Sequence, residues 1–457
     1  MKHQVGNNIS LWRPSSWRDK PIEQAVTYPD EEALARALSE LARRPPLVSS
    51  GEIDELKRQI ACGAEGKAFV LQGGDCVERF ADCDEQVITN KLKILLQMSV
   101  VLTHSARRPV VRIGRIAGQY AKPRSQPTET VDGNTILTYR GDNIHSFAPT
   151  PGGRTPDPAR LLQGYFIAGA TLNYIRSMID GGFADLHYPY TWNLHGIEKS
   201  VQWIEYKNTV ERILDAIHFM ESFGGVNSDK LHRVSFYTSH EALHLPYEES
   251  LTRLDGSSGR YYNLGAHMLW LGDRTRNSEG AHAEYLRGIA NPVGVKVGPG
   301  TDSDELVRLL ELINPNNEVG RVTVITRLGQ HRVATSLPPL LEAVRSSGHL
   351  VTWSCDPMHG NTVTLNGRKT RLFEAILQDL RATFACHEAY GSIMAGVHFE
   401  LTGDDVSECI GGSAAPVEQD LERNYQTGCD PRLNYDQSME MAFLIATMLA
   451  GRRTKTS

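Results

Sequence analysis

The sequence predicts a (β/α)8 barrel, and three observations carry that reading. Eight short β-rich runs recur along the chain, glycine or polar residues follow them, and helix-forming stretches come after most of them. Strands and helices that alternate in this way define a closed parallel sheet wrapped by helices. The runs are Ala68–Gln72, Val110–Gly114, Val234–Thr238, Met268–Leu271, Val293–Val297, Val322–Thr326, Leu350–Ser354 and Val397–Leu401. The helical stretches include Glu85–Leu102, Glu305–Leu312, Leu337–Arg345 and Arg371–His387. Two segments fall outside this count. Residues 1–66, with Pro21, Pro29, Pro45 and Pro46 around a short helix near Glu32–Ala42, are expected to form an N-terminal extension to a barrel spanning 67–457. Between the second and third strands, at about residues 155–232, the patterns Pro158–Met178 and Ser200–Phe223 read as an inserted helical pair. The closing GRRTKTS reads as a frayed basic tail.

Composition excludes several classes. The 457 residues are 40% hydrophobic with a net charge of −6, too apolar and too balanced for a disordered chain. No window approaches the roughly 20 apolar residues of a membrane span, and MKHQVGNNIS lacks the apolar core of a signal peptide, so no membrane partner and a cytoplasmic location are expected. Seven cysteines without a CxxC pair point to thiols or metal ligands rather than a disulfide framework. The mild negative charge offers no basic field for nucleic acid, although a local cluster of cations can still hold a small anion.

Barrel enzymes carry their reactive groups at the C-terminal ends of the strands. There the chain places Arg115 in VVRIGR, Glu241 in VSFYTSHE, Arg274 in LWLGDR, Lys296 in VGVKVGP and Arg327 in VTVITR. Singly, each is compatible with a salt-bridged strand cap. Jointly, four cations around one mouth suit phosphate and carboxylate, so phosphorylated acids are the expected substrates. A second set on the same rim comprises Cys76 in QGGDC, His359 in CDPMHGNT, Glu400 in GVHFELTG and Asp430 in CDPRLN. Strand alternation turns His398 and Glu400 to one face of the last run. A thiolate, an imidazole and two carboxylates suit Mn, Fe, Co or Zn and serve Ca or Mg poorly, but ligands so dispersed are equally a buried thiol among polar loops. The loop IAGQYAKPRS offers Lys122, Arg124 and Ser125 to a second phosphate, or is simply basic.

In family order, LQGGDC, RIGRIAGQYAKPRS, YRGD, TSHEAL, GDRTR, NPVGVKVGP, VITRLG, CDPMHGNT, GVHFELTGDDVSEC and CDPRLN resemble type II (plant-like) 3-deoxy-D-arabino-heptulosonate 7-phosphate (DAHP) synthase. The likeness runs from about Trp17 to Asn434. It implies a (β/α)8 barrel with an N-terminal extension and inserted helices, condensing phosphoenolpyruvate with erythrose 4-phosphate. It also implies Cys76, His359, Glu400 and Asp430 as ligands of one divalent metal, manganese first, with cobalt, zinc or cadmium as alternatives. By the same resemblance Arg115, Arg274, Lys296 and Arg327 hold phosphoenolpyruvate, while Lys122, Arg124 and Ser125 hold the sugar phosphate. Glu241 and Asp273 then lie near the reacting carbon and the attacking water, and Trp270 walls the pocket. A homodimer or homotetramer, with chorismate mutase as a partner, is a further implication.

Three departures from the family pattern stand out. Asp273 replaces the usual Glu of GERTR, Ala395 stands at a usual Gly before the last strand, and His145 stands where Asn is common. They suggest a divergent member, such as one serving a secondary-metabolite pathway, so an aminoDAHP synthase is one alternative and a catalytically silent regulatory barrel another. No metal ligand or phosphate cation is lost.

Overall fold

Eight parallel strands close into a barrel, each hydrogen-bonded to its neighbours in chain order. They are β1 (Phe69–Gly74), β2 (Val110–Arg115), β3 (Tyr237–Glu241), β4 (Met268–Leu271), β5 (Val293–Val297), β6 (Val322–Thr326), β7 (Thr352–Cys355) and β8 (Met394–Glu400). This computed structural model describes residues 12–131, 133–181, 183, 204, 206–208, 210–212, 215, 234–412 and 416–456. Apart from Arg112, every barrel-strand residue is buried, as expected of strands covered on both faces. That is why β4, β5 and β6 coincide with their predicted apolar runs.

β1 and β7 start one and two residues later than predicted, and two strands start three residues away. β3 starts three residues late because its pairing extends through the polar Ser239, His240 and Glu241, which the pattern reads as the strand's end. β8 starts three residues early and carries a bulge: Trp353 pairs with Met394 and Ser354 with Gly396, which leaves Ala395 as the extra residue.

Before the barrel stand two helices, α1 (Glu31–Leu41) and α2 (Ser50–Ala64). The prediction missed α2 although its start is written locally. Ser49 and Glu52 form a capping box, with Ser49 N donating to Glu52 at 2.8 Å. Leu56 and Ile60 of α2 are fully buried against Val70, Val111, Ile113, Tyr237 and Met268, and so close the N-terminal end of the barrel.

On the outer wall, α3 (Glu85–Ala106) packs on the C-terminal helix Tyr435–Thr456 through Leu92, Leu95, Met439, Ala442 and Ile445. The GRRTKTS segment does not fray as expected, since that helix continues to Thr456. Within the predicted insertion, α4 covers Ala159–Asp180; much of Ser200–Phe223 lies outside the described residues, and 204, 206–208, 210–212 and 215 are helical. The hairpins Thr128–Val131/Asn134–Leu137 and Thr362–Leu365/Arg368–Arg371, absent from the prediction, stand over the C-terminal ends of the barrel. All seven cysteines are free. Among the described residues no helix is long and apolar enough to cross a membrane.

Register aligns the strand ends. Gly74 sits opposite Arg115 on one side and Glu400 on the other, while Glu241 pairs with Trp270. At Gly74, with φ of 144°, an added Cβ would stand 2.6 Å from the Arg115 carbonyl, so only glycine permits this approach. Leu56→Ala is expected to open a cavity under the barrel and cost about 2–5 kcal/mol, read as a lowered urea midpoint.

Candidate active site and metal cluster

A cavity of about 530 Å³ opens at the C-terminal ends of the strands. It is lined by Arg115, Lys122, Arg124, Ser125, Glu241, Trp270, Asp273, Arg274, Lys296, Arg327, His359 and Asp430. Cys76 and Glu400 are buried at 1% and 0% exposure and contact this wall through Lys122 and Arg115. The candidates selected from strand ends are therefore gathered at one place.

The four candidate ligands form two overlapping groups that share Asp430. Ligand atoms of His359, Glu400 and Asp430 lie within 4.8 Å of one another, and so do those of Cys76, Cys429 and Asp430. Cys76 Sγ is 3.5 Å from Asp430 Oδ2, and His359 Nε2 is 3.0 Å from Glu400 Oε1. Lys122 reaches into this cluster instead of lying beside Arg124 and Ser125. Its Nζ is 2.8 Å from Cys76 Sγ, 3.2 Å from Asp430 and 3.6 Å from Glu400. A cation thus already sits among donors drawn from three distant parts of the chain, and the set fits a divalent ion. The His359 ring strengthens the fit, because Nδ1 meets Asp356 at 2.7 Å and leaves Nε2 toward Glu400, the arrangement that orients ligating histidines.

Charge balance explains how these groups stay ionised. Burial works to raise Glu400, but His359, Lys122, Arg371 and Arg115 outweigh it and hold the carboxyl well below the usual range. Burial likewise opposes ionisation of Asp430, and Lys122, Arg371 and His359 prevail over it and over the repulsion from Glu400. The two thiols divide: burial pushes Cys76 up, while a hydrogen bond with Cys76, together with Lys122 and Arg124, draws Cys429 down to about 7.

The other wall is cationic. Arg115 donates to Glu400 at 3.1 Å, meets His398 Nε2 at 2.8 Å and stacks over Trp270, 5.2 Å from the ring centroid. Lys296 pairs with Asp356, and its pKa is lowered to about 8, chiefly by burial. Arg274, on the exposed rim, donates to Ser125 Oγ at 2.5 Å and so joins the two candidate phosphate sites. Asp273 bridges Arg327 at 2.6 Å and Arg276 at 3.1 Å, so its shorter side chain serves these cations. Glu241 has its pKa raised by burial, against the pull of Lys122, Lys296, Arg115 and His359, and its Oε1 is buried without a hydrogen-bond partner. A Cβ on Gly272 would overlap that oxygen, so this glycine keeps the carboxylate's place open.

Sequence reasoning missed several members of the site. Arg371, fully buried, donates to Glu400 at 2.7 Å, and Lys369 donates to Asp430 at 2.8 Å. Both come from Arg368–Arg371, the all-polar second strand of a hairpin whose signals lie before it, in the alternating Thr362–Leu365 and the Asn366–Gly367 turn. Asp356 and Cys429 each lie within a quoted motif, Asp356 in CDPMHGNT three residues before His359 and Cys429 in CDPRLN immediately before Asp430, and that is the available signal. Gln119 accepts from Glu241 N at 2.8 Å and had no signal of its own.

Fold and site together define a (β/α)8 barrel with a cationic cavity beside a cluster of candidate metal ligands. A family model described as the class-II DAHP synthetase family matches residues 12–446, and the chain belongs to that family. Among curated relatives, a phospho-2-dehydro-3-deoxyheptonate aldolase of Neurospora crassa is 48% identical over 463 residues, covering 98% of this chain and 96% of the relative. One of the same name from Streptomyces coelicolor is 46% identical over 435 residues, covering 95% and 96%. A solved DAHP synthase structure from Thermotoga maritima aligns at 13% identity and a TM-score of 0.33 over 85% of this chain and 69% of that one, a likeness too slight to bear on the fold.

Asp356 ties His359 to Lys296. Asp356→Asn is expected to weaken divalent-metal affinity by roughly 10- to 100-fold, measured by competition with a chelating dye.

Proposed function

We propose that this chain catalyses the condensation of phosphoenolpyruvate with D-erythrose 4-phosphate and water, giving DAHP and inorganic phosphate, the first step of the shikimate pathway. One observation carries the reading: cations, a partnerless buried carboxylate oxygen and a thiol–imidazole–carboxylate cluster share a single cavity. In this reading residues 67–457 are the catalytic barrel, with its helical insertion at about 155–232, and 1–66 an N-terminal extension. Cys76, His359, Glu400 and Asp430 would hold the divalent ion. When bound, that ion would polarise the aldehyde of the sugar phosphate as a Lewis acid. Manganese is our first assignment, with cobalt, zinc or cadmium as alternatives. A cytoplasmic homodimer or homotetramer, with chorismate mutase as a partner, completes the proposal.

The chain's own residues supply the remainder. Arg115, Lys296, Arg327 and Arg274 hold the phosphate and carboxylate of phosphoenolpyruvate, and guanidinium forks suit both groups. Arg124 and Ser125 take the sugar phosphate at the rim; Lys122, given its reach, balances charge between the ligands and the substrates. Trp270 and the stacked Arg115 wall off one side and fix the enol ester's plane. Carbon–carbon bond formation at the methylene leaves cationic character at the ester carbon. Glu241 Oε1 orients water toward that carbon and accepts its proton. The resulting tetrahedral carbon bears a hydroxyl and the phosphate ester. It expels phosphate as the hydroxyl proton leaves and the ketone forms, and the cations on the phosphate lower the cost of departure.

The test is phosphate release from phosphoenolpyruvate, which should need erythrose 4-phosphate, vanish after chelation and return with Mn, Co or Zn. Glu241→Gln should retain metal and both substrates but lose about 10²- to 10⁴-fold in kcat; undiminished turnover would remove Glu241 from the chemistry. A pH profile gives an independent check. Lys296 is cationic below about 8 and loses its charge above it, so kcat/KM for phosphoenolpyruvate should fall as pH rises through about 8. Lys296→Arg, charged throughout, should shift that limb upward.

A further inference from the structure

The loop that carries Arg124 and Ser125 is pinned from 100 residues away. Arg124 N donates to Gln24 Oε1 at 2.9 Å, and Gln24 Nε2 donates back to the Arg124 carbonyl at 3.2 Å. One side-chain amide thereby satisfies both backbone groups of the residue, as a neighbouring strand would. The Gln24 backbone is itself held under constraint. Its φ of 58° lies in the left-handed region, which non-glycine residues seldom occupy unless their surroundings impose it.

Arg140 imposes it. Its guanidinium donates to the carbonyls of Gln24 and Ala25, the latter at 2.9 Å, and among the described residues no carboxylate lies within ion-pair distance. The Arg140 carbonyl in turn accepts from Lys122 N at 2.8 Å. Hydrogen bonds therefore run in a closed circuit from Gln24 to Arg124, along the chain to Lys122, across to Arg140 and back to Gln24. Behind the loop lies a second cavity of about 390 Å³, lined by Gln24, Arg124, Ser125, Arg140 and His145 among others. Ala121–Pro123 are buried, whereas Arg124 and Ser125 have this room behind them and are held by the circuit and by the Arg124 guanidinium's contact with Cys429 Sγ at 3.1 Å.

We propose that Gln24 is a positioning residue for the sugar-phosphate subsite, fixing the Arg124 backbone so that the guanidinium and the Ser125 hydroxyl face the cavity. This rests on reading Arg124 and Ser125 as that subsite. Losing the two bonds of Gln24→Ala should raise KM for erythrose 4-phosphate by roughly 5- to 20-fold, with kcat and KM for phosphoenolpyruvate within about twofold of the parent. Arg140→Ala loosens the same circuit without altering Gln24 and should give the same split, which keeps the test available should Gln24→Ala not fold. An unchanged KM for erythrose 4-phosphate, or a matching loss in both substrates, overturns the positioning role. Arg124→Ala, run in parallel, separates the two ideas. A raised KM there with none in Gln24→Ala sinks only the strap, whereas an unchanged KM in Arg124→Ala sinks the subsite and the strap with it.

Discussion

The ionised carboxylate of Glu400, fully buried at the end of β8, is the constraint around which the site is arranged. An unpaired charge in that position would cost several kcal/mol of desolvation. The fold meets that cost with four positive or protonatable partners from separate elements: Arg115 from β2, Arg371 from a hairpin, Lys122 from the loop after β2 and His359 from the segment after β7. Each must arrive in the same small volume for any of them to be tolerable there. Closure of the barrel between β1 and β8 brings them together, because it sets Arg115 and Glu400 on either side of Gly74.

The same logic propagates outward. Arg115 touches His398, whose Nδ1 meets Gln72 at 2.8 Å, and Gln72 donates to Ser239 at 2.9 Å, so a polar chain crosses the barrel interior from β2 to β8, β1 and β3. Asp356, ionised despite complete burial because His359, Lys296 and His398 favour its charge, ties the metal-facing side of the cavity to the cationic side. Each member of this chain is bonded through at least one side-chain atom, which limits the desolvation cost an unpaired group carries in a buried network. Here the pairing also fixes orientation, which catalysis requires to within fractions of an ångström.

Legibility in the sequence follows from whether an element's pattern is local. β4 is a continuous apolar run and β5 and β6 are valine-rich, and all three match their predicted bounds residue for residue. β3 is displaced because its polar end belongs at once to a strand and to a site, so polar residues read as the end of the run place the boundary too early. Strand-end residues such as Lys296 and Arg327 were found because barrel geometry assigns function to that position. Arg371, Lys369 and Gln119 were not, since what makes them important is a partner brought near by folding, Glu400, Asp430 and Glu241 in turn. Lys122 was found for its charge, yet where its ammonium goes depends on a loop path fixed by Arg140 and Gln24, far away in the chain.

What the fold leaves unmade is as informative as what it makes. Arg115 Nε and Arg327 Nε are buried donors without acceptors, and Glu241 Oε1 is a buried acceptor without a donor, all on residues lining the same cavity. Each such group costs about 1–3 kcal/mol relative to a satisfied one. Selection for stability alone would remove them, and a chain could do so cheaply by exchanging any of these side chains for an apolar one of like size. Among the described residues such atoms also occur elsewhere, but these three share one cavity, where they are open to further partners. A ligand that satisfied them would repay that cost as affinity, with its charges complementary to those the cavity presents.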